Sequence, residues 1–200
     1  MKLSQLLEKK EDRKLVVVYP GRFQPFHKGH FSAYKWLCKK FGKENVWIAT
    51  SNKTEFDSEK KVSPLTFDER KEIMLSMYGI PENRIVECKN PAFNPEEVFD
   101  IYKDFNIVYV TAVGNKDTKR YSQSKFFFPF PSNGKINNLK TQDDCGYYVK
   151  VPFVTNISGT EARELLTDEN ADRQESFKKI FGKYDSTIDR LIKSKLKRIE

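Results

Sequence analysis

Histidine is scarce in this chain of 200 residues: there are two, His27 and His30, and they stand three positions apart. Any chemistry that needs imidazole is confined to that one stretch. Cysteine is nearly as rare, and Cys38, Cys88 and Cys145 are scattered and odd in number, which excludes a disulfide framework and suits a reducing compartment. None of the three stands at a metal-ligand spacing from the histidines, so no zinc site and no metal-ligating set is expected. Apolar runs long enough to span a bilayer are missing, and the stretch from Met1 to Asp12 is too charged for a signal peptide. The sequence reads as cytoplasmic, with no membrane partner.

What is present is a chain with 38% hydrophobic and 32% charged residues, enough to bury one core without staples. A net charge of +8 favours anionic partners. Nucleotides, nucleic acid and a plain solvated basic surface all satisfy it, and nucleic acid is not required.

Apolar periodicity predicts a short lead-in helix at 3–11, a strand at 14–19, and a helix from about Lys28 carrying Phe31, Tyr34, Leu37, Cys38 and Phe41, stopped by Gly42. A buried strand at 46–50 and a polar loop at 51–64 follow. Thr66 and Glu69 form a capping box for a helix running to about Tyr78. Further strands are expected at 84–88, 107–113 and 147–152, and a helix at 95–105; 115–146 is irregular, with the run from Phe126 to Pro131 as a covering flap, a lid or a subunit contact. Strands alternating with helices predict an α/β fold, a single Rossmann-like doubly wound parallel sheet. Ligands of such sheets lie beyond the carboxyl ends of the strands, where strand order reverses. If the first and fourth strands are neighbours, the loops after them meet at one crevice.

The first of those loops runs Gly21-Arg22-Phe23-Gln24-Pro25-Phe26-His27-Lys28-Gly29-His30. A strand that turns at a glycine into a helix N-terminus offers free N–H groups and the positive end of a dipole to a phosphate. Two histidines on one helix face can serve the same group, although paired histidines at a turn also suit plain helix capping. A second stretch, Ile157-Ser158-Gly159-Thr160-Glu161-Ala162-Arg163, again opens a helix; by itself it reads as a capping box of Ser158 and Glu161. Together the two stretches resemble the signatures His-x-Gly-His and Ile-Ser-x-Thr-x-x-Arg of the nucleotidyltransferases, in the form found in archaeal and Nudix-fused nicotinamide mononucleotide adenylyltransferases. Compact nucleotidyltransferase-like proteins of large tailed phages are similar in layout.

The resemblance implies a nucleotidyltransferase domain at 1–166; beyond it the apolar pattern Phe177, Ile180, Phe181, Ile188, Leu191 and Ile192 in a basic background predicts a C-terminal helical extension at 167–200 packed on the domain, or else a docking surface for a partner. It implies that the NMP part of an NTP, ATP by the Gly-Arg-Phe-Gln-Pro turn, is joined to a small phosphate-bearing acceptor with release of pyrophosphate and with Mg2+ carried by the NTP. A CTP-dependent cytidylyltransferase is the nearest rival, a nucleotide-binding protein without catalysis the rival of another class, and homo-oligomers fit either. The catalytic set is then His27, His30, Arg22 and Arg163. Nucleotide binding falls to Gly21, Phe23, Gln24, Lys28, Gly29, Gly114, Asn115, Asp117, Ser158, Gly159 and Thr160. Arg70, in a stretch resembling Pro-x-Thr-x-x-Glu-Arg, is a substrate contact or a salt-bridge residue on a helix surface. Phe93 stands near the place where archaeal-type enzymes carry a stacking tryptophan.

Overall fold

A computed structural model describes residues 12–54, 63–133, 135–152, 157–168 and 170–196. The lead-in helix expected at 3–11 lies outside them. Six parallel strands form one sheet: β1 (Arg13–Pro20), β2 (Val46–Thr50), β3 (Ile85–Glu87), β4 (Asn106–Val113), β5 (Phe127–Pro129) and β6 (Gly146–Lys150), in the order β3-β2-β1-β4-β6-β5. The central strand is apolar on both sides because both are covered: Val16 and Val18 enter one core, Val17 and Tyr19 the other. The chain steps from β1 out through β2 to β3, then crosses back to β4 on the far flank of β1. Strand order therefore reverses between β1 and β4, and the loops leaving these two neighbours open on a common crevice.

One face of the sheet carries α1 (Lys28–Phe41) and α2 (Phe67–Tyr78), and its core also takes in residues of α5 (Gly159–Thr167), α6 (Arg173–Phe181) and α7 (Ser186–Leu196). The other face is covered thinly by α3 (Glu96–Phe99) and α4 (Thr118–Ser122). The helix expected at 95–105 is thus much shorter: after Phe99 the chain tightens into a 3-10 turn at Asp100–Tyr102. The reason is positional, since the segment must deliver Asn106 to the start of β4, where its N–H meets the Asp12 carbonyl at 3.2 Å. Ile101 and Phe105 are left 50% and 44% exposed.

The 115–146 segment is more regular than the sequence suggests. Its phenylalanine run supplies the edge strand β5, with Phe127 buried and Phe126 and Phe128 outward. Two prolines argue against a strand, but Pro129 sits on an outer strand, where a missing N–H breaks no ladder on the open side.

Candidate active site

The loop after β1 is held by its own side chains. Phe23 is the one described non-glycine residue with positive φ, at 50°, and its ring is buried against Tyr19, Phe26 and His30. That ring lies over Gly21, where a Cβ would stand 2.6 Å from it, so this position takes glycine. The Gln24-Pro25 bond is cis. Gln24 is buried and its amide is satisfied twice by one residue: Nε2 donates to the Leu65 carbonyl at 2.8 Å and Oε1 accepts from the Leu65 N–H at 2.9 Å. The β1 loop is thereby tied to the entrance of α2.

The histidines occupy the first turn of α1. His27 is its N-cap, and its Nδ1 accepts from the Gly29 N–H at 3.1 Å; His30 Nδ1 accepts in turn from the His27 N–H at 3.3 Å. Capping and chemistry are therefore not alternatives here. Because each Nδ1 is an acceptor, the proton of each neutral ring sits on Nε2, and both rings offer an N–H donor from the free edge. The ring centroids are 3.8 Å apart. Burial, with the charge of Lys28, pushes the His27 pKa down to about 4; burial, with His27, pushes that of His30 well below the ordinary imidazole value. Both are uncharged donors at neutral pH. The cap also consumes the Gly29 N–H that a phosphate would otherwise use.

The second sequence motif meets the first. Ser158 caps α5 in a reciprocal box with Glu161, and Gly159 lies against the loop so closely that a Cβ would be 3.2 Å from the Gln24 carbonyl. That carbonyl accepts from Arg163 Nη1 at 2.6 Å, while Arg163 Nη2 reaches Thr160 Oγ1 at 3.3 Å. Burial lowers the Arg163 pKa and the nearby charge of Arg22 lowers it further. Two guanidiniums that repel one another beside two imidazole donors make a site for a polyanion. Arg22 is exposed and Lys28, the first residue of α1, is half-buried.

After β4, Gly114 faces open space, with no described atom within 4 Å of an added Cβ. Asn115 and Asp117 are exposed beyond it. Arg70 is not a surface salt-bridge residue: it is 1% exposed, and its guanidinium donates to the carbonyls of Arg22, Ser51 and Thr66 and to Thr50 Oγ1 at 2.6–3.0 Å. Desolvation lowers its pKa to about 10. It braces the ends of β1 and β2 against α2. Phe93 belongs to the core on the other face of the sheet, stacked on Tyr121 at 5.2 Å with the Arg120 guanidinium 4.0 Å from its ring centre. The acceptors Thr50, Ser51 and Leu65 were invisible in the sequence, because most act through backbone atoms that carry no sequence signature.

The family model for cytidylyltransferase-like proteins matches residues 18–165. The nicotinamide-nucleotide adenylyltransferase of Sulfurisphaera tokodaii is 27% identical over 156 residues, covering 76% of this chain and 80% of that one. Among solved structures, Plasmodium falciparum nicotinic acid mononucleotide adenylyltransferase complexed with APC superposes with a TM-score of 0.56 at 18% identity, over 94% of this chain and 98% of that one. A bifunctional NMN adenylyltransferase/ADP ribose pyrophosphatase of Francisella tularensis, complexed with AMP and an Mn ion, gives 0.50 at 17%, over 90% and 48%. At these identities the structural likenesses establish the fold. A match across most of the chain, spanning both motifs and the sheet that brings them together, establishes the family: the chain belongs to the cytidylyltransferase-like family and is an enzyme of the nucleotidyltransferase class.

Proposed function

We propose that this enzyme is a nicotinamide-nucleotide adenylyltransferase, joining the AMP part of ATP to the phosphate of a mononucleotide acceptor. The observation that carries the reading is the pair of neutral imidazoles with Nε2–H edges free, set beside Arg22 and Arg163 at the strand-order reversal. The named activity of the Sulfurisphaera tokodaii relative supports the choice of nucleotide and acceptor.

An acceptor phosphate oxygen attacks the α-phosphorus of ATP in line; the new P–O bond forms as the bond to the β-phosphate oxygen breaks, and pyrophosphate leaves. The attacking oxygen is already ionised, so no general base is needed. His27 and His30 donate Nε2–H to the α-phosphate oxygens, where charge grows in the transition state. Arg22, Lys28, Arg163 and the remaining N–H groups of the α5 N-terminus hold the β- and γ-phosphates. Gly114, Asn115 and Asp117 line the nucleotide side of the crevice. Among the described residues no group of three His, Cys, Asp or Glu side chains could hold a metal. Mg2+ would then enter with the triphosphate and supply neutralisation of phosphate charge beside Arg22, Lys28 and Arg163.

Three free cysteines agree with a reducing, cytoplasmic setting. The deciding test is pyrophosphate release from ATP or CTP with nicotinamide mononucleotide, nicotinic acid mononucleotide and a sugar-alcohol phosphate. Turnover with ATP and either pyridine nucleotide is expected; turnover with CTP alone would replace this reading by the cytidylyltransferase one.

A further inference from the structure

A cavity of about 710 Å3 lies between α1 and the C-terminal end of α2, with none of residues 21–30 in its lining. Its walls are aromatic. Phe31 and Tyr78 stack at 4.7 Å and 27°, and Tyr34 and Ile80 complete the apolar lining. At its rim stand Lys35, Lys43 and Arg84 against the one carboxylate Glu44. Lys35 lies 4.9 Å over the Phe31 ring and Arg84 4.7 Å over Trp47, so both cations are already arranged on π faces. One polar group is left over: the Tyr78 hydroxyl is buried and has no hydrogen-bond partner among the described residues. An apolar slot of this volume suits a small molecule, flat walls suit a ring, and a rim with excess positive charge suits an anion.

We infer that this cavity is a second ligand site, taking a flat aromatic anion whose ring packs against Tyr78 and Phe31 and whose acidic group meets Lys35 and Lys43. Tyr78 is also in line with the reaction site. Its ring packs on Phe26 at 5.5 Å, and Phe26 packs on His30 at 5.4 Å. A ligand that moves Tyr78 therefore presses on the ring that seats His30. The binding site stands apart from the reaction proposed above, and only its effect on turnover rests on that reading.

The probe is anilinonaphthalene sulfonate, a ring anion whose fluorescence rises on binding. One equivalent should bind the intact protein saturably. Reversing the rim with Lys35→Glu and Lys43→Glu, both exposed side chains, should weaken it by about tenfold or more. Cys38→Trp, which fills the slot from α1, should abolish it. The chain has two histidines, so nitrogen-15 labelling gives two pairs of imidazole signals, and saturating probe should shift those of His30 more than those of His27. Equal affinity in the intact and rim-reversed proteins, no saturable binding, or unmoved His30 signals would overturn the inference. Absence of pyrophosphate release with every acceptor, alongside these binding results, would overturn the proposed reaction and leave the second site standing.

Discussion

His27 and His30 each serve the backbone through Nδ1 and leave Nε2 for a substrate. Removing either ring therefore costs both a cap and a donor, and the two losses separate by experiment. Loss of a transition-state donor lowers turnover by roughly a hundred- to a thousandfold with little change in KM, while loss of a cap costs about 1 kcal/mol of stability. His30→Ala and His27→Ala should each show both effects in steady-state kinetics and denaturant unfolding. The double variant should lose less turnover than the product of the two, since both rings serve one phosphoryl group. A pH dependence follows from the same burial. The His27 pKa falls from 6.5 in the unfolded chain to about 4 in the folded one. Between these values the unfolded state binds the extra proton, so stability drops as pH falls from 6.5 toward 4 and is level above. His27 alone should account for about 2 kcal/mol less stability at pH 5 than at pH 7 in denaturant unfolding, the buried His30 adds to the same slope, and His27→Gln should remove the share of His27. Turnover, if His27 acts uncharged, should show no loss near pH 6.5 from this ring.

Three elements converge on Gln24: the β1 loop through its backbone, the entrance of α2 through Leu65, and α5 through Arg163 and Gly159. Gly159→Ala inserts a Cβ at 3.2 Å from the Gln24 carbonyl and must push α5 outward by a few tenths of an ångström. That strains the Arg163 contact. A several-fold weaker ATP affinity by calorimetry is expected, with an unchanged fold by circular dichroism. The sequence made α5 and α1 legible because caps and glycines are local signals: Ser158 with Glu161 and His27 with Gly29 are read from neighbours in the chain. It did not reveal the Gln24–Leu65 pairing, whose partners are far apart and whose acceptor and donor on Leu65 are main-chain atoms that any residue would supply. Arg70 misled for a similar reason, since charge suggests a surface and only the fold shows four acceptors enclosing it. The Phe126–Pro131 run hid β5 because prolines weigh against a strand until its position at the sheet edge is known. With Phe127 buried and β5 paired to β6, the segment reads as a fixed cover. Hydrogen exchange over Phe127 to Phe130 should be unchanged by saturating ATP and Mg2+, and any ligand-induced protection should fall between Gly114 and Ser122.

Across the whole molecule, the C-terminal helices are part of the main core. Phe177, Ile180 and Phe181 of α6 and Ile188, Ile192 and Leu196 of α7 are each no more than 4% exposed, in one cluster with α1, α2 and the sheet. The joint is polar as well as apolar: Lys195 pairs with Glu69 at 2.6 Å, Lys183 donates to the Ser76 carbonyl at 3.1 Å, and Arg173 pairs with the buried Asp189 at 2.8 Å. Both α2 contacts act on the helix that carries Arg70, so the tail supports the brace behind the reaction loop. Fully burying one such side chain is worth about 1.5–3 kcal/mol as an upper estimate. Six together match or exceed the roughly 5–15 kcal/mol by which a whole domain is stable. We propose that the domain read at 1–166 does not fold without α6 and α7 packed on it. A chain ending at Thr167 should lack a cooperative thermal transition and bind no ATP, while the milder Lys195→Ala should keep the fold and lose on the order of 1 kcal/mol, since the pair is mostly covered, with 22% and 19% of its two side chains exposed. A folded, ATP-binding 1–167 fragment would show that the boundary read from the sequence is a true domain boundary and that the apolar seam under α6 and α7 contributes far less than its burial indicates.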